Sequence, residues 1–365
     1  MEEYIREFIY ESRTHLSSCQ ELVDFKESRN EYVRKYVERV WVGECSGPAS
    51  TAERHGFDSN DIALENADLS IHVYQLHDQE AVEEYGDMGP GGEEPAMMAH
   101  HWTLPCEDLE GIWETMVFDD QIQSRLLEYV HTAMLFSDKS VNTNLVSWNR
   151  VALLHGPPGT GKTSLCRGLA QKLAIRLSER YRYGKLLEIN SHSLFSKWFS
   201  ESGKMVQRMF DQIWTMVEDD NAFICVLIDE VESLAAARKA ALSGNEPSDS
   251  IRVVNALLTQ IDRLKKRKNV LILTTSNITE AIDLAFIDRA DIKLRIGLPS
   301  RNAIDSLLES SIRELQRVGI IQPFTAPEDE LGLRRELYAI ANLATGMSGR
   351  TVRKLCFLAH AAYVR

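Results

Sequence analysis

The sequence predicts an α/β fold: a five-stranded parallel sheet wrapped by helices, with a separate α+β module before it and a small α-helical unit after it. Three observations carry this reading. A short apolar run, Val151-Ala-Leu-Leu-His155, breaks into the glycine-rich Gly156-Pro-Pro-Gly-Thr-Gly-Lys-Thr163. Apolar runs recur at 186–190, 223–229, 270–276 and 292–296, with helical segments between them. After Pro299 the apolar spacing is helical alone, over 302–318, 331–343 and 349–364.

Taken in order, residues 1–100 read as an N-terminal module. Tyr4, Ile5, Phe8 and Ile9 recur at helical spacing. Residues 31–42 fit either a helix or an alternating strand, and 68–76 alternate as a strand. Residues 43–56 and 85–95 have loop composition, and between Glu80 and Pro95 there are acids and no base. No catalytic motif appears here, so the module is expected to bind or position something. Residues 101–299 form the large domain, entered through Trp102-Thr-Leu-Pro105, the stretch 109–117 and a helix over 120–136. Residues 300–365 form the lid.

Composition narrows the class. Hydrophobic content of 44% and charged content of 26% suit a globular protein. A net charge of −13 argues against non-specific binding to DNA or to an anionic membrane. No apolar run approaches the ~20 residues that span a bilayer, and the acidic start Met1-Glu-Glu lacks a signal-peptide core. The 6 cysteines have no paired metal-ligand spacing and read as reduced thiols of an intracellular protein.

The chemistry lies in the strand–loop–helix at 151–173. Gly156, four residues, then Gly161-Lys162-Thr163 is the phosphate-loop pattern. Glycines let backbone N–H groups of Gly156, Pro157–Pro158 excepted, Gly159, Thr160 and Gly161 turn inward around a polyphosphate. The helix opening at Lys162, Thr163 and Ser164 offers its positive N-terminus to the anion. Lys162 is expected to reach the outer phosphates, and the Thr163 hydroxyl to ligate Mg²⁺. The run at 225–228 ends in Asp229-Glu230. Asp229 suits the water shell of Mg²⁺, and Glu230 is placed to polarise the attacking water. The run 270–276 ends in Asn277, a polar group able to hold the same water. ATP and Mg²⁺ are the expected substrate and cofactor.

These features together resemble the AAA+ ATPase superfamily. That resemblance implies an arginine finger at Arg289, within Ile287-Asp-Arg-Ala-Asp291, reaching the ATP of an adjacent subunit. A finger supplied by a neighbour implies a ring, and the resemblance further implies a second sensor at Arg350, within Gly346-Met-Ser-Gly-Arg350, acting from the same chain. Trp198 and Phe199 sit in the polar stretch 191–203, ahead of a helix whose buried stripe is Val206, Met209, Phe210, Ile213 and Val217. Such aromatics either plug back onto the core, stack on single-stranded nucleic acid, or project into the ring to grip an extended polypeptide. The resemblance favours the last.

Further runs tighten the match: Tyr181-Arg-Tyr-Gly184, 190–204, Asp229-Glu-Val-Glu-Ser-Leu-Ala-Ala-Ala-Arg238, 246–255 and Asn277-Ile-Thr-Glu280. From about Trp102 onward the chain resembles the pachytene checkpoint protein 2 family, also called the thyroid hormone receptor interactor 13 family. The resemblance implies a homohexameric ATPase that converts closed HORMA-domain proteins to an open form, with the help of a HORMA-like adaptor. It implies roles in meiotic chromosome-axis control and the spindle assembly checkpoint. The expected location is the nucleus and cytoplasm, on chromosomes or kinetochores through partners, with no membrane and no direct nucleic-acid contact. Against relatives the lid is short, so it is expected to be incomplete. The competing readings are another AAA+ unfoldase, an ATP-gated scaffold that needs no hydrolysis, and a nucleic-acid loader.

Overall fold

The computed structural model describes residues 1–17, 20–22, 24–43, 61–85, 97–119, 121–191, 202–234, 249–277, 284–322 and 327–363. The chain divides into two compact units, Met1–Gln75 and Leu76–Arg365.

In the first unit, helix α1 (Glu2–Ser12) buries Ile5, Phe8 and Ile9. They pack with Leu16, Leu22, Phe25, Val33, Val40 and Leu64. Four short strands, β1 (His15–Ser17), β2 (Gln20–Glu21), β3 (Trp41–Val42) and β4 (Asp61–Ala63), pair as β1–β4 and β2–β3, both antiparallel. The ambiguous stretch 31–42 is both things in turn. Asn30 accepts a hydrogen bond from the Tyr32 N–H at 2.9 Å and caps helix α2 (Glu31–Tyr36). Val37 then leaves helical geometry, and the chain runs on into β3. The strand expected over 68–76 does not form. Leu69 and Ile71 pack against the unit's core, so the alternation reflects one-sided packing rather than ladder pairing.

The second unit is organised by a seven-stranded sheet containing β5 (Val82–Tyr85), β6 (Met97–Leu104), β7 (Val151–His155), β8 (Tyr183–Asn190), β9 (Ala222–Asp229), β10 (Val270–Ser276) and β11 (Ile292–Arg295). Its order is β11-β7-β10-β9-β8-β6-β5. The first five in that order are parallel, as the sequence predicts. The last two add on antiparallel beyond β8. The module boundary expected at residue 100 therefore shifts to 75/76, because β5 and β6 belong to the large sheet.

Side chains alternate between two cores, the period-2 signature of strands buried on both faces. On β9, Ala222, Ile224, Val226 and Ile228 face one cluster, whereas Phe223, Cys225 and Leu227 face the other. Helices α5 (Ser202–Val217) and α6 (Asp249–Leu264) cover the first. Helices α3 (Ile122–Asp138) and α4 (Lys162–Arg176) cover the second. The predicted stripe of α5 is buried throughout, with Val206, Met209 and Phe210 fully enclosed. After α7 (Leu284–Ile287) and β11, the lid consists of α8 (Arg301–Arg317), α9 (Pro327–Leu343) and α10 (Gly349–Tyr363). Ile304, Leu307, Leu308, Leu337, Ala341 and Val352 form its core. Ser300 caps α8 and donates its N–H to Asp119 at 2.9 Å, tying the lid to the large domain.

One carboxylate fixes the entry to β7. Asp291 accepts from the Asn149 N–H at 2.7 Å, the Arg150 N–H at 2.9 Å, Asn149 Nδ2 at 3.0 Å and the Tyr129 hydroxyl at 3.0 Å. Burial, and then the Asp291 charge, push the Tyr129 hydroxyl well above its ordinary range, so it stays a neutral donor. Arg150 has φ +56° and is buried, donating to Ser137 Oγ at 3.2 Å and to the Lys265 carbonyl at 2.8 Å. Asp291→Ala is expected to lower unfolding free energy by about 1–3 kcal/mol, the cost of orphaning backbone donors held by a charge. Asp291→Asn, which keeps an acceptor, should lose less; equal midpoints for all three proteins in urea would refute this anchoring role.

Candidate nucleotide site

The phosphate loop leaves β7 at its C-terminal end, between β11 and β10. Its shape requires glycine. Gly156 has φ +146°, and a Cβ there would lie 2.0 Å from the Ile296 carbonyl oxygen. Gly159 and Gly161 also have positive φ, and Gly161 forms the left-handed entry to α4. The loop is closed by its own polar groups. Thr160 Oγ1 donates to the Pro157 carbonyl at 2.9 Å. Lys162 is buried, and its Nζ donates to the Gly156 carbonyl at 2.9 Å and the Pro157 carbonyl at 2.8 Å. Pro158 lies in the turn between them, and Ser164 lies in the first turn of α4.

Burial pulls the Lys162 ammonium below its ordinary pKa range, and the carboxylates of Glu232, Asp229 and Glu230 oppose that shift. An ammonium gathered into a backbone cradle at a helix N-terminus fits a polyphosphate. Thr163 Oγ1 donates to Asp229 Oδ1 at 2.9 Å and lies 3.2 Å from Oδ2. A hydroxyl and a carboxylate meeting at one point fit Mg²⁺, which takes one or two protein oxygens and fills its shell with phosphate oxygens and water. Bound there, the ion would neutralise charge on the phosphates.

The carboxylates are set by the parallel register of β9 and β10. Thr274 lies opposite Ile228, which brings Thr275 beside Asp229. The Thr275 hydroxyl donates to Asp229 Oδ1 and accepts the Glu230 N–H at 3.2 Å. Glu230 has φ +58°, a left-handed conformation unusual for a residue with a side chain. The Glu230 carbonyl accepts from the Ser233 N–H at 3.1 Å and from Ser233 Oγ at 2.9 Å, which holds that conformation. Asn277 Nδ2 donates to Glu230 Oε1 at 3.1 Å, so the polar tip of β10 grips the carboxylate expected to polarise water.

The lid closes on the same loop. The Arg350 N–H donates to the Gly159 carbonyl at 3.1 Å, and a Cβ on Gly159 would meet Ser348 Oγ at 2.8 Å. The Arg350 charge is felt at Lys162, lowering its pKa. The structure thus brings Lys162, Thr163, Asp229, Glu230, Asn277 and Arg350 together. Arg289 lies apart from this group: Nε and Nη2 donate to the two oxygens of Asp262 at 3.0 and 2.7 Å, and Nη1 to the Ala285 carbonyl at 2.7 Å. Trp198 and Phe199 lie outside the described residues. Thr275 and Glu232 are residues of this group that sequence reasoning missed. Thr275 carries a signal only once the β9–β10 register is known, and Glu232 stands in the quoted Asp229-Glu-Val-Glu run without a spacing rule to mark it.

Residues 152–298 match the model of the ATPase family associated with various cellular activities (AAA). Residues 325–365 match the TRIP13-like AAA+ ATPase lid C-terminal domain, and residues 1–79 the TRIP13 N-terminal domain. The human pachytene checkpoint protein 2 homolog is 53% identical over 327 residues, covering 84% of this chain and 74% of that protein. The zebrafish (Danio rerio) homolog is 49% identical over 347 residues, covering 92% and 78%. The structure of C. elegans PCH-2 superposes with a TM-score of 0.75 at 40% identity, covering 100% of this chain and 87% of that one. An E. coli HORMA:CdnC:Trip13 complex shares the fold, with a TM-score of 0.55 at 19% identity. With its phosphate loop, its strand-end carboxylates and all three family segments in place, the chain belongs to the AAA ATPases of the pachytene checkpoint protein 2, or TRIP13-like, family.

Proposed function

We propose that this protein hydrolyses ATP, with Mg²⁺, to convert closed HORMA-domain proteins to an open form, acting as a homohexameric ring. The observation that carries the ATPase part is the chain Thr163–Asp229–Thr275–Glu230–Asn277. It joins a phosphate-loop hydroxyl to the residue whose carboxylate would polarise water, through successive polar contacts. A scaffold that only binds ATP has no use for a strained Glu230 gripped by Asn277. The substrate class rests on the family and on a fold shared with a Trip13 whose structure contains a HORMA protein. The N-terminal unit would dock the substrate or a HORMA-like adaptor, and Trp198 and Phe199 would grip an extended segment in the pore. Chromosome-axis and spindle-checkpoint control, in the nucleus and cytoplasm, follow from that substrate class. Among the described residues, no helix is long and apolar enough to cross a membrane.

The test is an ATP-dependent conversion assay on a closed HORMA protein, with and without adaptor. Trp198→Ala is expected to abolish conversion while hydrolysis measured without substrate persists. Conversion at the parent rate would remove the pore role, and the absence of any ATP-dependent conversion by the parent protein would remove the remodelling function. Single-stranded DNA titrated at fixed salt should not bind.

A further inference from the structure

Glu232 lies two residues past the strand-end pair, in the turn that follows β9. Its Oε1 accepts the backbone N–H of Asn277 at 3.0 Å. Its Oε2 is enclosed and has no hydrogen-bond partner among the described residues. The Asn277 side chain in turn donates to Glu230 Oε1 at 3.1 Å. Asn277 is therefore held at its backbone by one carboxylate while its amide orients another. Neighbouring bonds lock the same turn: the Val231 N–H donates to the Thr275 carbonyl at 3.0 Å, and the Leu234 N–H to the Val231 carbonyl at 3.2 Å.

Glu232 is half-buried, and enclosing one of its oxygens without a hydrogen bond is costly to keep for packing alone. Hydrolysis supplies a reason for keeping it. The Glu230 carboxylate must be aimed before a water is attacked, and small misplacements of a catalytic group cost large factors in rate.

We infer that Glu232 is a positioning residue for ATP hydrolysis: its carboxylate fixes the tip of β10, and through Asn277 it sets the orientation of Glu230. The inference rests on the ATPase reading above. Glu232→Ala should lower kcat on the order of 10–100-fold, with the KM for ATP and nucleotide affinity nearly unchanged. Glu232→Gln keeps an oxygen able to accept the Asn277 N–H and should recover most of that loss.

The deciding experiment is a double-mutant cycle of Glu232→Ala with Asn277→Ala, read as kcat by steady-state ATPase assay. Nucleotide binding and thermal melting are followed in parallel on the full chain. If Glu232 acts through Asn277, the double variant is no slower than Asn277→Ala alone. Multiplying losses, a loss confined to KM, or no recovery by Gln would overturn the inference. An inactive parent protein would instead overturn the ATPase reading on which it stands, and the parent rate is measured first to separate the two.

Discussion

Glu230→Gln is expected to cut ATP turnover by about 10²–10⁴-fold, the usual contribution of a positioned general base, while ATP still binds. The reasoning is geometric. Gln keeps the size of the side chain and an oxygen for the Asn277 amide, so the grip seen at 3.1 Å survives. The main-chain bonds from Thr275 and Ser233 that hold Glu230 at φ +58° do not involve the carboxylate. What is lost is the negative charge that accepts a proton as water attacks. Phosphate binding depends on Lys162, the glycine loop and the N-terminus of α4, all of which are untouched. On the proposed remodelling function, the stalled variant should also hold a HORMA-domain protein, so stable co-elution with ATP present is the second readout. Turnover near the parent rate would sink the assignment of Glu230.

Arg289→Ala is the other change of large expected effect, a fall of roughly 10³–10⁵-fold in turnover if its guanidinium stabilises the transition-state charge from a neighbouring subunit. Within its own chain Arg289 is satisfied by both oxygens of Asp262 and by the Ala285 carbonyl. Lys265 shares Asp262 at 3.0 Å. Burial pushes the Asp262 carboxyl up, but the hydrogen bonds and charges of Arg289 and Lys265 together hold it below its ordinary range. The ordinary alternative is that Arg289 only braces α6 against α7, in which case its loss lowers melting temperature rather than turnover. Subunit mixing separates these. On the proposed ring, Arg289→Ala subunits and Lys162→Ala subunits are each expected to be inactive, but a mixed ring would contain sites with an intact loop facing an intact arginine. Recovery of activity on mixing is expected; its absence, together with a lowered melting temperature, would assign Arg289 to bracing.

Much of this molecule could be read before it was seen, but unevenly. The strands buried on both faces stand out as continuous apolar runs, and α5 announces its buried face by spacing. β5 and β6 did not stand out. Val82–Tyr85 carries Glu83 and Glu84, and Met97–Leu104 carries His100 and His101. Strands toward the edge of a sheet keep such polar residues, so neither run reads as a strand from its pattern, and the expected boundary at residue 100 lies beyond the division at 75/76. The stretch 68–76 erred in the other direction, since alternation reports one-sided burial and does not report a pairing partner.

In the nucleotide site the same division holds. By itself the sequence marked out the phosphate loop and the Asp229-Glu230 pair, because each is set by a few adjacent residues in a strand-end setting; Asn277 was legible only as part of that set, and Arg350 only through the family resemblance. Only the tertiary structure decided that Thr275 bridges Asp229 and Glu230, that Glu232 holds Asn277, that Asp291 anchors the entry to β7, and that Arg289 rests on Asp262. These contacts join residues from 27 to 142 positions apart. Their existence depends on strand register and helix packing, and a linear pattern contains neither.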